Sequence, residues 1–350
     1  MEQPILRLGL LGFPDSVSSN LQMWAAQNQP GWPQWRVGDP HQADAWMISG
    51  ASVDVQGRDG IVVQHPYGGT ERLTLHRSEV DRPLAFGYPL PEGFVSAEYF
   101  EAEDEKSVRQ RLQRFEAWLR PLRSQFTLGA LLVDRLQEFK NGVVHLVLEG
   151  RLLAVIDLTN WRAGLHIPAR PVDLEMGQWI SPPGVDNDIP PSFIKLSLNR
   201  LMWIYAARTQ RDVLPPRYRE QTIYLRRVPR LPARWFDDMH MRLMRELAVR
   251  PGPCTDLVSR IGGATADIEH HLAALYYVGG LTTDPDTARR AEPSTRRELV
   301  ALQFNPVGAV QEVPLSSEFG DLNAPSTALR EMPHSPLRVL PSTPKPAAFQ

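Results

Sequence analysis

The residues of this chain whose types and spacing could do chemistry are mostly arginines, and they gather in one stretch. Between Arg208 and Arg250 stand eleven arginines against five acids, six net positive charges, interleaved with Tyr218, Tyr224 and Trp235. Clustered guanidinium groups can track a phosphate backbone or hold an acidic protein surface through bidentate contacts. Arg226, Arg227, Arg230, Arg234, Arg242 and Arg245 are therefore the candidate anion-binding or nucleic-acid-binding set. A competing reading pairs these arginines within the chain, for example with the acid run Glu101, Glu103, Asp104 and Glu105.

Nucleophilic and metal chemistry find less support. Cys254 is the only cysteine, so neither an internal disulfide nor a cysteine-built zinc site is available, and its place at a helix start reads as structural. His270 and His271 are neighbours on a helix and point in different directions, with His240 about one helix away, so no histidine metal site is expected. GxSxG, P-loop and GxGxxG patterns are all missing. The expectation is a non-enzymatic protein without metal or cofactor. A pocket gathering Asp15, Asp44, Arg58 and His65 would reverse it.

The elements that must position these residues follow from hydrophobic spacing. Phe236, Met239, Leu243 and Leu247 recur every three or four residues, a helical face. Leu257, Val258 and Ile261 form a shorter stripe between Pro253 and the Gly262-Gly263 stop. A third helix, N-capped by Thr265, carries Ile268, Leu272, Leu275 and Tyr276 inward and ends at Gly279-Gly280, before a strand pair. This order resembles a winged helix-turn-helix domain over about 234–285. The resemblance implies that the third helix is the contact helix, with Thr265, Asp267, Glu269, His270, Ala273, Ala274 and Tyr277 facing outward. Two acids and no arginine or lysine oppose phosphate binding, so Asp267, Glu269, His270, Ala273 and Tyr277 are expected to meet a protein partner.

Residues 5 to 123 alternate strands and helices. Ile5–Phe13, AWMIS, GIVVQ and PLAFGYP read as strands, Val17–Gln27 and a long segment from about 102 to 122 as helices. This element order resembles a receiver-like, flavodoxin-type α/β domain. The family's functional residues do not carry over: Gly12, Phe13 and Pro14 stand where metal-holding acids belong, with Asp15 alone as a candidate. Ser49 and Gly50 stand in place of the phosphoacceptor aspartate, and GYPLP offers no lysine. The resemblance thus implies a docking surface without phosphorylation chemistry. Trp24, Trp32, Trp35 and Trp46 cluster here, and exposure of Trp32 or Trp35 would make their loop the leading interaction site.

From 125 to 232 an opening helix through Leu136 and Phe139, a hairpin at Glu149-Gly150, a Pro-rich loop with a short strand at Gln178–Ile180, and a helix over SFIKLSLNRLMWIYAARTQ make an α+β middle segment. Arg226 and Arg230 also show the RxxxR spacing of cyclic-dinucleotide-binding PilZ domains. The companion Asp157, Thr159 and Gly164 lie upstream with the wrong glycine spacing. From 286 to 350 prolines recur among hydroxyl residues and acids, so a mostly disordered tail is expected, with RELVALQF as an edge strand or docking segment.

Composition sets outer bounds. With 350 residues, 42% hydrophobic, and a net charge of −2, the chain fills real cores without being driven as a whole onto DNA or anionic lipid. The opening ILRLGLLGF reads as a buried strand rather than a signal peptide, which with the cysteine count points to the cytoplasm. The combined expectation is a receiver-like α/β domain (1–124), an α+β middle region (125–232), a mainly α winged-helix-like domain (233–285) and a disordered tail (286–350). Its function is that of a signal-transduction adaptor binding proteins, with a DNA-binding regulator as the alternative and a cyclic-dinucleotide effector as the lesser one.

Overall fold

A computed structural model describes residues 2–27, 31–57, 59–64, 72–94, 96, 98–135, 138–139, 142–182 and 189–288. The expected tail from 289 onward, RELVALQF, His65, Arg58 and Leu136 lie outside the described residues. The protein is mixed α/β with a parallel sheet and several helices.

The first unit is built on β1 (Ile5–Leu11), β2 (Gln34–Val37), β3 (Ala45–Ser49), β7 (Leu84–Gly87) and β8 (Tyr99–Phe100), all parallel, in the order β2-β1-β3-β7-β8. Numbered along the chain within this sheet, that is 2-1-3-4-5. Every residue of β3 is buried, and the two-residue period of a strand sends its side chains to two different cores. Ala45 and Met47 join Leu6, Leu8 and Leu21 under α1 (Asp15–Ala26) and α2 (Glu105–Trp118). Trp46 and Ile48 join Ile61, Val63 and Phe86 on the opposite face. That second face is covered by an antiparallel sheet of β4 (Val53–Gln56), β5 (Gly60–Gln64) and β6 (Arg72–His76). GIVVQ is therefore a strand of this cover and not of the parallel sheet.

The helix expected over 102–122 is two. Asp104 caps α2 by accepting from the Lys106 and Ser107 amides, and the chain breaks at Leu119 before α3 (Arg120–Arg135). Pro121 has no N–H for the carbonyl one turn back, which forces the break. As a result α3 runs across the expected boundary at residue 125.

The middle sheet, β12-β9-β10-β11-β13, is antiparallel: β9 (Val143–Leu148), β10 (Arg151–Asp157), β11 (Arg162–His166), β12 (Gln178–Ile180) and β13 (Phe193–Ser197). Glu149 and Gly150 both adopt positive φ, 50° and 76°, the geometry that a two-residue hairpin turn requires. α4 (Pro171–Met176) and α3 cover the sheet beside α5 (Leu198–Ala206). α3 and α5 approach closely at Gly129, where a Cβ would stand 2.8 Å from Tyr205 Cβ and 2.9 Å from Leu201 O. The helix expected over SFIKLS is a strand followed by a helix, because those residues pair with β11 and the Ser197 hydroxyl then accepts from the Arg200 amide to cap α5.

The last unit contains α6 (Arg217–Glu220), β14 (Tyr224–Leu225), α7 (Asp238–Val249), α8 (Cys254–Ile261), α9 (Thr265–Tyr277) and β15 (Leu281–Thr282). Its core joins Leu243, Leu247, Leu257, Ile268, Leu272 and Leu275 to Trp203 of α5. The residue before α9 is Ala264, so Thr265 begins the helix instead of capping it. β15 pairs with β14 upstream of all three helices, and Ile223 bridges to Gly252 between α7 and α8.

Candidate functional site

α9 does not present the outward face expected of it. It lies against α5 as well as α7 and α8, so its second face is covered by the middle unit. Ala273 is 1% exposed and Ala274 is fully buried, which corrects the expected outward facing of both and the assignment of Ala273 to a partner. Glu269 is engaged by Arg219, with Nε to Oε1 at 3.0 Å and Nη2 to Oε2 at 3.3 Å. His270 is half-buried and its imidazole pKa is pulled below the ordinary value, first by burial and then by the neighbouring His271. Tyr277 packs against both the last core and the middle core, and burial pushes its phenol up to about 12. Of the five residues assigned to a partner, only Asp267 is exposed.

The arginine set is partly surface and partly structure. Arg226, Arg230, Arg242 and Arg245 are exposed around β14 and the outer side of α7. Arg227 is half-buried beside Gly279, and the side chain of Arg234 lies outside the described residues. The proposed pairing with the 101–105 acids is corrected for the pairs described: Asp104 caps α2 and Glu105 pairs with Arg109 at 2.7 Å. Other arginines of the stretch hold the units together. Arg208 grips Asp44 bidentately at 2.6 and 2.7 Å, Arg211 meets Asp134 at 2.9 Å, and Arg219 also reaches Asp212.

Other candidate groups are occupied. Asp44 is held by Arg208 and accepts from the Arg7 amide, whereas Asp15 is exposed at the start of α1, so the two do not converge on a pocket. Cys254 is 3% exposed, and burial pushes its thiol up, away from nucleophilic use. Asp157 is fully buried and accepts from Asn160 and Arg162, closing the β10–β11 turn.

The carboxyl ends of β1, β3 and β7 form the crevice where an open α/β sheet takes its ligand. Here the chain itself fills it. Phe13 is buried with its ring 6.2 Å from Phe100, and Ser52 donates to the Gly12 carbonyl at 2.6 Å. A Cβ on Gly50 would lie 2.4 Å from the Pro89 carbonyl oxygen. The tryptophans divide: Trp35 and Trp46 are buried, Trp24 is packed on the core, and Trp32 is 44% exposed.

One polar constellation was missed from the sequence. Asp237, the N-cap of α7, accepts from the His240 amide at 3.0 Å. Its Oδ1 is 2.7 Å from His240 Nδ1 and its Oδ2 is 3.1 Å from His271 Nε2. The two imidazole rings stand 4.5 Å apart. The expectation that His240 and His271 lie a helix apart is corrected: α7 and α9 pack, and the i,i+3 step returns His240 to Asp237. Burial alone would raise the Asp237 carboxyl, but both imidazoles outweigh it and hold the carboxyl far below its usual range. Burial lowers His240 to about 4 against the pull of Asp237. Burial also works against the His271 cation, yet its bonds to Asp237 and to the Asp267 carbonyl prevail and raise it. Among the described residues these three are the group whose ligand atoms, all within 4.8 Å of one another, could hold a metal. A readable signal existed only in part: Asp237 and His240 have the N-cap and N3 spacing, but nothing in sequence ties them to His271.

No protein-family model, curated protein or solved structure matches this chain.

Proposed function

We propose that this chain is a non-enzymatic regulatory adaptor of cytoplasmic signal transduction, acting by binding another protein. The observation that carries this reading is the burial of α9 between its own unit and α5, with Ala273 at 1% exposure. A helix enclosed in this way cannot enter a major groove, so a winged-helix-like unit here serves as a packing module. The 2-1-3-4-5 order of the first sheet supports a receiver-like origin, and its filled crevice supports docking without phosphoryl chemistry. Among the described residues no helix is long and apolar enough to cross a membrane. The exposed Trp32 is the residue assigned to the partner, since a solvent-facing tryptophan is a common anchor of interfaces.

The DNA-binding reading has one observation in its favour, the exposure of Arg226, Arg230, Arg242 and Arg245 in the last unit. One pair of experiments separates the two. Partners captured on the intact chain should be lost with Trp32→Ala, and random duplex should not bind even at about 50 mM salt. Duplex binding that falls steeply with salt, with the slope flattened by Arg226→Glu and Arg227→Glu, would replace the adaptor with a DNA-binding regulator.

A further inference from the structure

We propose that Asp237, His240 and His271 form a binding site for a divalent transition-metal ion at the seam of the last unit with α5. Three observations carry this. The donor set is two imidazoles and one carboxylate with ligand atoms within 4.8 Å. A tetrahedral ion with bonds of about 2.0–2.1 Å needs ligand atoms about 3.3 Å apart, so small side-chain rotations close the set. His240 is 2% exposed and its Nδ1, 2.7 Å from Asp237 Oδ1, is the nitrogen that faces the other two donors and would coordinate. His271 Nδ1 lies 2.6 Å from the Asp267 carbonyl, which keeps the proton on Nδ1 and leaves Nε2, the atom facing Asp237, to coordinate.

The surroundings match how protein metal sites are built. Ligating histidines bond a backbone carbonyl or carboxylate through their other nitrogen, and the Asp267 carbonyl stands in that place for His271. Trp203 lies 4.7 Å from the His240 ring, giving a dry wall contributed by α5. Imidazole-rich sets favour zinc, nickel, cobalt or copper over magnesium and calcium, and three protein ligands leave a fourth position for water or another donor. Arg7 of β1 is the nearby opposing charge, close enough for Asp237 to act on it. An ion here would tie α7 to α9 within the last unit, against Trp203 of α5.

The test uses the full chain, stripped with chelator and titrated with Zn2+ by calorimetry, with thermal unfolding in parallel. One ion per chain and a rise in Tm are expected. Losing a supporting partner alone weakens metal affinity by about 10–100-fold, so His271→Ala should weaken it by at least about tenfold. His41→Ala, which removes an exposed histidine, should change nothing. Co2+ loading of the wild type supplies a second readout free of any folding defect in variants: a visible d–d band of tetrahedral type is expected. No saturable binding, no such band, or equal affinity in His271→Ala would overturn the site.

Discussion

The crevice of the parallel sheet and the second face of α9 are both covered, but by different means. The crevice is closed from within its own unit by Phe13, Ser52 and the backbone at Gly50. α9 is closed by a different unit, α5, beside a seam of charge: Arg208 on Asp44, and Asp237 between two histidines. Local closure depends on contacts that form whenever the sheet forms. Closure between units depends on a junction, and a junction with buried charges is sensitive to each partner it holds.

The hardest test of that difference is Arg208→Ala. It leaves Asp44 nine-tenths buried without its bidentate partner, and truncating one member of a buried pair costs roughly 3–5 kcal/mol. Denaturant unfolding should report that loss; a change under about 0.5 kcal/mol, normal for surface sites, would show the seam to be slack. Ala273→Leu comes next. Extra methylenes at a packed site cost about 1–3 kcal/mol, so Tm should fall and amide exchange in α5 and α9 should rise, whereas a free α9 would tolerate the change.

The smallest effect concerns Glu116, buried in the first unit with Trp35 Nε1 donating to it at 3.0 Å. Burial raises its carboxyl above the ordinary 4.5, against the Trp35 bond and Arg123. The unfolded chain therefore loses this proton at lower pH than the folded one. The folded state is penalised above the raised pKa, and stability rises as pH falls through that pKa towards 4.5. Stability measured from pH 7 down to about 5 should show this gain in the wild type and lose it in Glu116→Gln, whose amide oxygen still accepts from Trp35. Parallel pH profiles in both proteins would place Glu116 in contact with water.

Legibility in the sequence followed the range of the interaction. β1, β3, the Glu149-Gly150 hairpin, β12 and the three helices of the last unit rest on periodicities and turn preferences within a dozen residues, and each lies where spacing put it. The break at Leu119 was legible too, through Pro121, but the apolar stripe running past it read as one helix. β13 misled because FIKLSLNRLM satisfies helical spacing, and its pairing with β11, thirty residues away, overrode that preference.

The sequence by itself determined most of the local elements and the absence of an internal disulfide, since each depends on residue identity and near neighbours. Tertiary structure alone decided that Ala273 is inside, that β5 covers the parallel sheet instead of joining it, and that Asp237 meets His271 across 34 positions. A helix or strand repeats its own period, but nothing in that period says which of its faces another unit will cover. Contacts between units are chosen by the summed fit of whole surfaces, and no short run of residues encodes that sum.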